Sequence, residues 1–378
     1  MNKTEIAKIK RRLTPDGRNP IVIRGWYVNG KKAVISQLSR DLMSLTQTEC
    51  EKYTQIFKRV LSGDFGRNLS LIRFPVTEVM DGQTHDRLMR LTSSALTDED
   101  AINEFMNTVL ENTKIDENYL ILLMHDTYDL DYYNTHGDEG AIDNAMPSNI
   151  LQYVICAMCP VKQGKPTFCY DGAENDFVTR DGDWLVSAPT MGFMFPTLED
   201  GAANISQALF YSRDIGEDHS DFLTASLNAT EEATPLESKE AFKAVLMDAL
   251  EEECSLDVVQ SVNEQLIEKL EENKKDKNSD PAVIGGKEIS ELLTRSGVSD
   301  DRADAFRQKF EEEFGQGAEL PLARVTDDKQ FEVKTGDVTV KVSPRQASLI
   351  ETRVIDGVKY IMIPADDGVT VNGISIDI

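Results

Sequence analysis

The stretch His125-Asp126-Thr127-Tyr128-Asp129-Leu130-Asp131 is the most enzyme-like in the chain. Asp126, Asp129 and Asp131 are hard oxygen ligands suited to Mg²⁺ or Mn²⁺. His125 titrates near neutral pH and suits the role of general base. The stretch follows a continuous apolar run, Tyr119 to Met124. It is therefore expected where a buried strand leaves a sheet, a place where α/β proteins position functional groups. The chemistry this would support is a metal-dependent hydrolase or nuclease centred on His125 and Asp126. No carboxylate spacing here is diagnostic of a metal. The plainer alternative is a strand running out into a polar loop, because Asp and Asn favour turns.

Other groupings are simpler to explain. Cys156-Ala157-Met158-Cys159 lacks the second cysteine pair, or the spaced histidines, that a zinc site needs. It also falls within an apolar strand, where positions i and i+3 face opposite ways, and buried structural cysteines are expected. Glu174, Asp176, Asp181 and Asp183 gather beside Trp184, and a charged turn accounts for them. Lys8, Lys10, Arg11 and Arg12 form a basic cluster on a first helix, with Arg18 and Arg24 not far along the chain. Contact with phosphate or nucleic acid, if any, is expected there. Gly-x-x-x-x-Gly-Lys-Ser/Thr, Gly-x-Gly-x-x-Gly and Gly-x-Ser-x-Gly are all absent, so no cofactor is expected.

The elements that must position these groups can be read from period and punctuation. Ile6, Ile9 and Leu13 mark one face of the first helix. Ile21 to Val28 and Lys31 to Ser36 flank Asn29-Gly30, the signature of a type I′ hairpin. Thr46-Gln47-Thr48-Glu49 opens a helix as a capping box. Leu69 to Phe74 reads as a strand, and Thr97 to Asp100 opens another helix. Tyr119 to Met124 and Leu151 to Met158 read as central strands buried on both faces. Between them a polar loop is expected from Thr127 to Pro147. Short strands in tight turns are expected on to Pro196. Phe242 to Leu250 and Val258 to Leu270 have helical spacing, followed by a solvated linker from Glu271 to Pro281. Phe306, Phe310 and Phe314 share a further helical face. The last sixty or so residues alternate as strands, with Asp356-Gly357 as a second type I′ turn. The expected class is α+β: a mixed or antiparallel sheet with flanking helices, a helical middle and a C-terminal β-hairpin region. The expected divisions are 1–232 (α+β), 233–318 (acidic, helical) and 319–378 (β-rich).

Composition narrows the function classes. The 378 residues include 66 acidic and 40 basic side chains, for a net charge of -26. That sign disfavours nucleic acid and anionic membrane surfaces as partners. No apolar run approaches the ~20 residues of a membrane helix. The N-terminus has no apolar signal-like stretch, and five cysteines are no disulfide framework. A soluble, cytoplasmic protein is the expectation.

Several stretches carry a resemblance. They are the Ile6 to Arg12 helix with Arg24-Gly25-Trp26-Tyr27-Val28; Tyr119 to Leu123 through His125-Asp126-Thr127-Tyr128-Asp129; Cys159-Pro160-Val161-Lys162; Asp183 to Pro189; Gly192-Phe193-Met194-Phe195-Pro196; Leu250 to Ser255; and Glu351 to Tyr360. Over nearly the whole chain they resemble the uncharacterised bacterial domain-of-unknown-function family DUF4317, found mainly in gut Firmicutes. The resemblance implies a bacterial, cytoplasmic protein and carries over no activity and no site residues. The order of elements is also similar to that of bacterial nucleoid-associated proteins, an analogy of fold alone. With no cofactor motif, nucleophile signature or metal spacing, the leading expectation is a non-enzymatic binding or regulatory protein, its partner a protein or a second copy. The alternatives are the hydrolase above and a nucleoid-associated-like DNA-binding protein using Lys8, Lys10, Arg11 and Arg12.

Overall fold

The computed structural model describes residues 1–14, 21–129, 150–228, 234–276, 279–365, 368–371 and 374–376. The chain divides into two compact units, Met1–Thr234 and Pro235–Ile378.

In the first unit, uninterrupted apolar runs place two long strands at the centre of a sheet. The strands are β1 (Val22–Val28), β2 (Val34–Asp41), β3 (Leu69–Arg73), β4 (Asn118–Asp129), β5 (Ile150–Gln163), β6 (Thr167–Asp171), β7 (Asp176–Arg180), β8 (Trp184–Val186), β9 (Met191–Phe195), β10 (Thr197–Glu199), β11 (Ala202–Asn204) and β12 (Gln207–Ser212). The main sheet runs β2-β1-β4-β5-β9-β12-β3, with β8 on the end of β5. Its described pairings are all antiparallel.

Helices cover both faces of this sheet. Antiparallel sheets often leave one face to water and then alternate in polarity; here both faces are dry, so the central strands read as solid apolar runs. Side chains alternate across β4. Tyr119, Ile121 and Leu123 pack with α4 (Gln83–Ser93), α5 (Glu99–Asn112) and α6 (Ser220–Leu227), and Val79 of the short α3 (Val76–Asp81) lies half-buried against the same cluster. Leu122, Met124 and Tyr128 pack with α1 (Lys3–Arg12) and α2 (Gln47–Val60). Capping boxes start α1 at Asn2/Glu5 and α2 at Thr46/Glu49. In α5 the cap is Asp98 rather than Thr97, its carboxylate accepting from the Ala101 N–H.

Three local expectations are corrected. The β4 strand continues through Asp129, so His125 and Asp126 lie inside it and not at its exit. The first hairpin closes over Asn29 to Lys32, where Lys32 and not Gly30 takes a positive φ of 62°. Asn29 Oδ1 accepts from the Lys31 and Ala33 N–H groups, which builds the wider turn. Gly30 is needed for space, since a Cβ there would sit 2.4 Å from the Asp116 carbonyl oxygen. The expected linker from Glu271 is helix as far as Lys275.

The second unit packs α7 (Pro235–Leu250), α8 (Leu256–Lys275), α9 (Gly286–Arg295) and α10 (Asp300–Phe314) around one apolar core. Phe306, Phe310 and Phe314 stack in sequence along α10. Leu320, Leu322 and Val325, which lie past the sequence division at 318/319, pack into the same core. Beyond it come small hairpins. Glu351–Ile355 and Val358–Met362 pair through Asp356 (φ 50°) and Gly357 (φ 80°), the expected type I′ turn.

Candidate functional site

Of the sequence candidates, Asp126 has the most ordered surroundings. It is fully buried in the middle of β4, on the α1/α2 face of the sheet. Arg12, at the last turn of α1, reaches it from 114 positions away and binds both carboxylate oxygens, Nε to Oδ2 at 3.1 Å and Nη2 to Oδ1 at 3.2 Å. The Tyr153 hydroxyl on β5 donates to Oδ2 at 2.7 Å, and the Thr127 N–H donates to Oδ1 at 2.7 Å. The Arg12 guanidinium also lies 5.5 Å from the centre of the Tyr128 ring. The result is a largely buried network that joins Asp126, Arg12 and the rings of Tyr153 and Tyr128. Burial and the adjacent carboxylate push the Tyr153 phenol well above its usual pKa.

His125 is the next residue on the strand and faces the other way, into the α4/α5 layer. Burial lowers its pKa, against the opposing influence of the Asp126 charge and the Thr92 backbone. Its Nε2 atom is buried without a hydrogen-bond partner. The strand pleat therefore separates the two residues proposed from sequence to act together. Asp129 ends β4, and Asp131 lies outside the described residues. Among the described residues no group of three His, Cys, Asp or Glu side chains could hold a metal ion.

The other candidates are also placed. Cys156 points into the α4/α5 layer and Cys159 into the α1/α2 layer, as a strand spacing of three requires. Burial pushes both thiols up, Cys159 to about 12, which leaves them inert as nucleophiles at neutral pH. Of the basic cluster, Arg12 is committed to Asp126. Burial, together with the charges of Arg59 and Lys58 on α2, lowers the pKa of Lys10. Lys8 is half-buried and Arg11 exposed on the same helix. Arg18 lies outside the described residues. Arg24 hydrogen-bonds the Leu96 carbonyl and Glu99, away from α1.

One feature that sequence reasoning passed over is an arm. Past Gln163 and Trp184 the β5/β8 pair continues into the β6/β7 hairpin. Register puts Phe168, Tyr170, Phe177 and Thr179 on one face. The three rings are 70%, 54% and 59% exposed. They touch one another, with Phe168 and Phe177 stacked at 5.6 Å and Tyr170 edge-on to Phe177 at 5.5 Å. The signal was available in the alternation of Phe168 and Tyr170, but nothing in a sequence says that such a strand pair leaves the core.

A family model described as "Domain of unknown function (DUF4317)" matches residues 1–374. The chain belongs to the DUF4317 family. No curated protein and no solved structure matches it. Among the described residues no helix is long and apolar enough to cross a membrane. In this DUF4317 chain, then, the buried Arg12–Asp126–Tyr153 network and the exposed aromatic arm are the two features that call for a chemical account.

Proposed function

We propose that this DUF4317 protein is a non-enzymatic binding protein that associates through the aromatic face of its β6/β7 arm, docking a second copy of itself. The exposed, mutually stacked rings of Phe168, Tyr170 and Phe177 carry the reading. Large contiguous apolar patches on a protein surface mark interaction sites, and aromatic side chains dominate interface energetics. The base of the arm carries Lys165 with Asp181 and Asp183, Lys162 there being paired with Glu117, and the tip carries Glu174 and Asp176, so the apolar face and not charge carries the pairing. Two arms laid antiparallel about a two-fold axis place ring against ring, the self-complementarity an isologous contact requires. On the opposite face of the arm Thr167, Asp171, Asp176 and Arg180 surround Cys169 and Val178, and the Arg180–Asp171 ion pair braces it. The hydrolase reading lacks comparable support, because His125 and Asp126 occupy opposite faces and both Asp126 oxygens are engaged.

Sedimentation velocity over a concentration series tests this. The intact chain is expected to form dimers, and Phe168→Ser with Phe177→Ser is expected to remain monomeric with an unchanged circular dichroism spectrum. A monomeric intact chain, or a dimer indifferent to both substitutions, overturns the proposal.

A further inference from the structure

A cleft of about 620 Å³ lies on the α1/α2 side of the first unit. Its volume is within the range of small-molecule sites. One wall is the outward face of α2, from Glu49 to Arg59; the other is Leu120 with the segment 186–189 that follows β8. Tyr53, Ile56, Leu120, Val186 and Pro189 give it an apolar body. Lys52 and Arg59 give it positive charge, Glu49 adds a carboxylate that accepts from the Thr46 N–H and hydroxyl, and Gln55 and Ser187 add uncharged polar groups.

Arg59 connects this cleft to the cation cluster. It lines the cleft, and it lies close enough to Lys10 to disfavour protonation there, as does Lys58. Among the described residues Lys10, Lys52, Lys58 and Arg59 form no ion pair, although the chain has 66 carboxylate side chains against 40 basic ones. The charges of Arg59 and Lys58 cost Lys10 repulsion, and its half-burial costs it desolvation. An anion placed among them would reverse both costs.

We propose that this cleft binds a small organic phosphate with a planar aromatic body, of the size of a nucleoside phosphate. The phosphate would sit toward Arg59 and Lys52, the two cations that line the cleft. The ring would lie against Tyr53 and the apolar wall, with its polar edge toward Gln55 and Ser187. An acyl-chain anion would leave those last two groups without a purpose. A long polyanion would meet the field of a chain carrying a net charge of -26, whereas a ligand spanning about one Debye length feels chiefly the local cations. The proposal stands independently of the arm.

Isothermal titration of the full chain with each of the four ribonucleoside triphosphates, with inorganic pyrophosphate and with a single-stranded 20-nucleotide DNA tests it. At least one nucleotide is expected to bind with a dissociation constant below ~1 mM, more tightly than pyrophosphate, and more weakly as salt rises. Arg59→Gln is expected to weaken that binding by about tenfold or more, the loss of one charge-assisted contact. Tyr53→Ala should weaken the nucleotide but leave pyrophosphate unaffected. Both positions face solvent in part, and thermal unfolding would confirm that the variants fold. No nucleotide binding, equal binding of pyrophosphate, tighter binding of the oligonucleotide, or an Arg59→Gln variant that binds as before would each overturn the proposal.

Discussion

Along the second unit ten of the described cations find an acid, while others such as Lys287 and Arg295 do not. Lys239 lies 3.6 Å from Asp327, Arg345 is forked onto Glu271, and Lys269, Lys274 and Lys309 pair with Glu288, Asp328 and Asp248. On the α1/α2 face of the first unit the pattern divides. Arg12 is sealed against a fully buried carboxylate, while Lys10, Lys58 and Arg59 have one another for company. In a chain so rich in carboxylates such pairs form readily, and exposed ones stabilise little. The two cases on the α1/α2 face are informative in opposite ways. Arg12 is held where a change would be costly, and Lys10 is held where its own charge is a burden.

The largest effect should come from breaking the sealed pair. Arg12→Ala leaves Asp126 charged and buried, and should destabilise the first unit by about 3–5 kcal/mol. Asp126→Asn leaves the cation, of which only 11% of the side chain is exposed, without its counter-charge, and should cost a similar amount. The apolar double variant Arg12→Met with Asp126→Leu should recover most of the loss, because the buried pair's desolvation nearly offsets its attraction. Lys239→Ala, at a half-buried pair of the second unit, should cost no more than about 1 kcal/mol. Urea unfolding of all four variants checks the ranking. Equal losses at Arg12 and Lys239 would erase the contrast between the units.

Histidine titration gives the next effect. Burial lowers the pKa of His125 and His219 below the ordinary 6.5. The unfolded chain therefore takes up protons before the folded one does. The stability associated with their neutral forms is complete above about pH 7 and declines as pH falls through 6.5 toward the lower folded values. Urea midpoints between pH 7.5 and 5 should drop accordingly. His125→Leu should flatten part of that slope and remove a buried nitrogen that has no partner. A slope unchanged in His125→Leu would mean that His125 is protonated as readily inside the sheet as outside it.

How much of this was legible beforehand depended on whether the physics was local. The runs around Tyr119 and Leu151 announced central strands because a strand covered on both faces has no polar side to show. Asp356-Gly357 announced its turn because both positive φ values are local needs. The helix Gln83–Ser93 went unseen, since only His85, Leu88, Leu91 and Thr92 of its residues are buried and, Met89 apart, the rest are polar. The end of β4 was misplaced for a related reason. A polar pair, His125-Asp126, normally marks a strand leaving the core; here Asp126 stays inside because Arg12 and Tyr153 supply its partners. Those partners come from 114 and 27 positions away, a closure that no window of sequence displays. Arg12 and Asp126 were each singled out, one for phosphate and one for metal, and the fold joins them to each other.

The smallest effect is the most discriminating, because its sign differs between the regions. Lys10 is half-buried and repelled by Lys58 and Arg59. Replacing it with glutamine keeps the stem and removes the charge. Without a bound anion, Lys10→Gln should stabilise the first unit slightly, by no more than about 0.5 kcal/mol, since water screens a group this exposed. The gain should shrink at high salt, where the repulsion is screened over a few ångströms. Lys239→Gln should move the other way, losing a little stability at low salt as its attraction to Asp327 disappears. Urea midpoints of the two variants at low and high ionic strength give four numbers with a predicted pattern of signs. A loss of stability in Lys10→Gln at low salt would show that its ammonium is stabilised in the folded chain, and the unpaired cluster would no longer distinguish the first unit from the second.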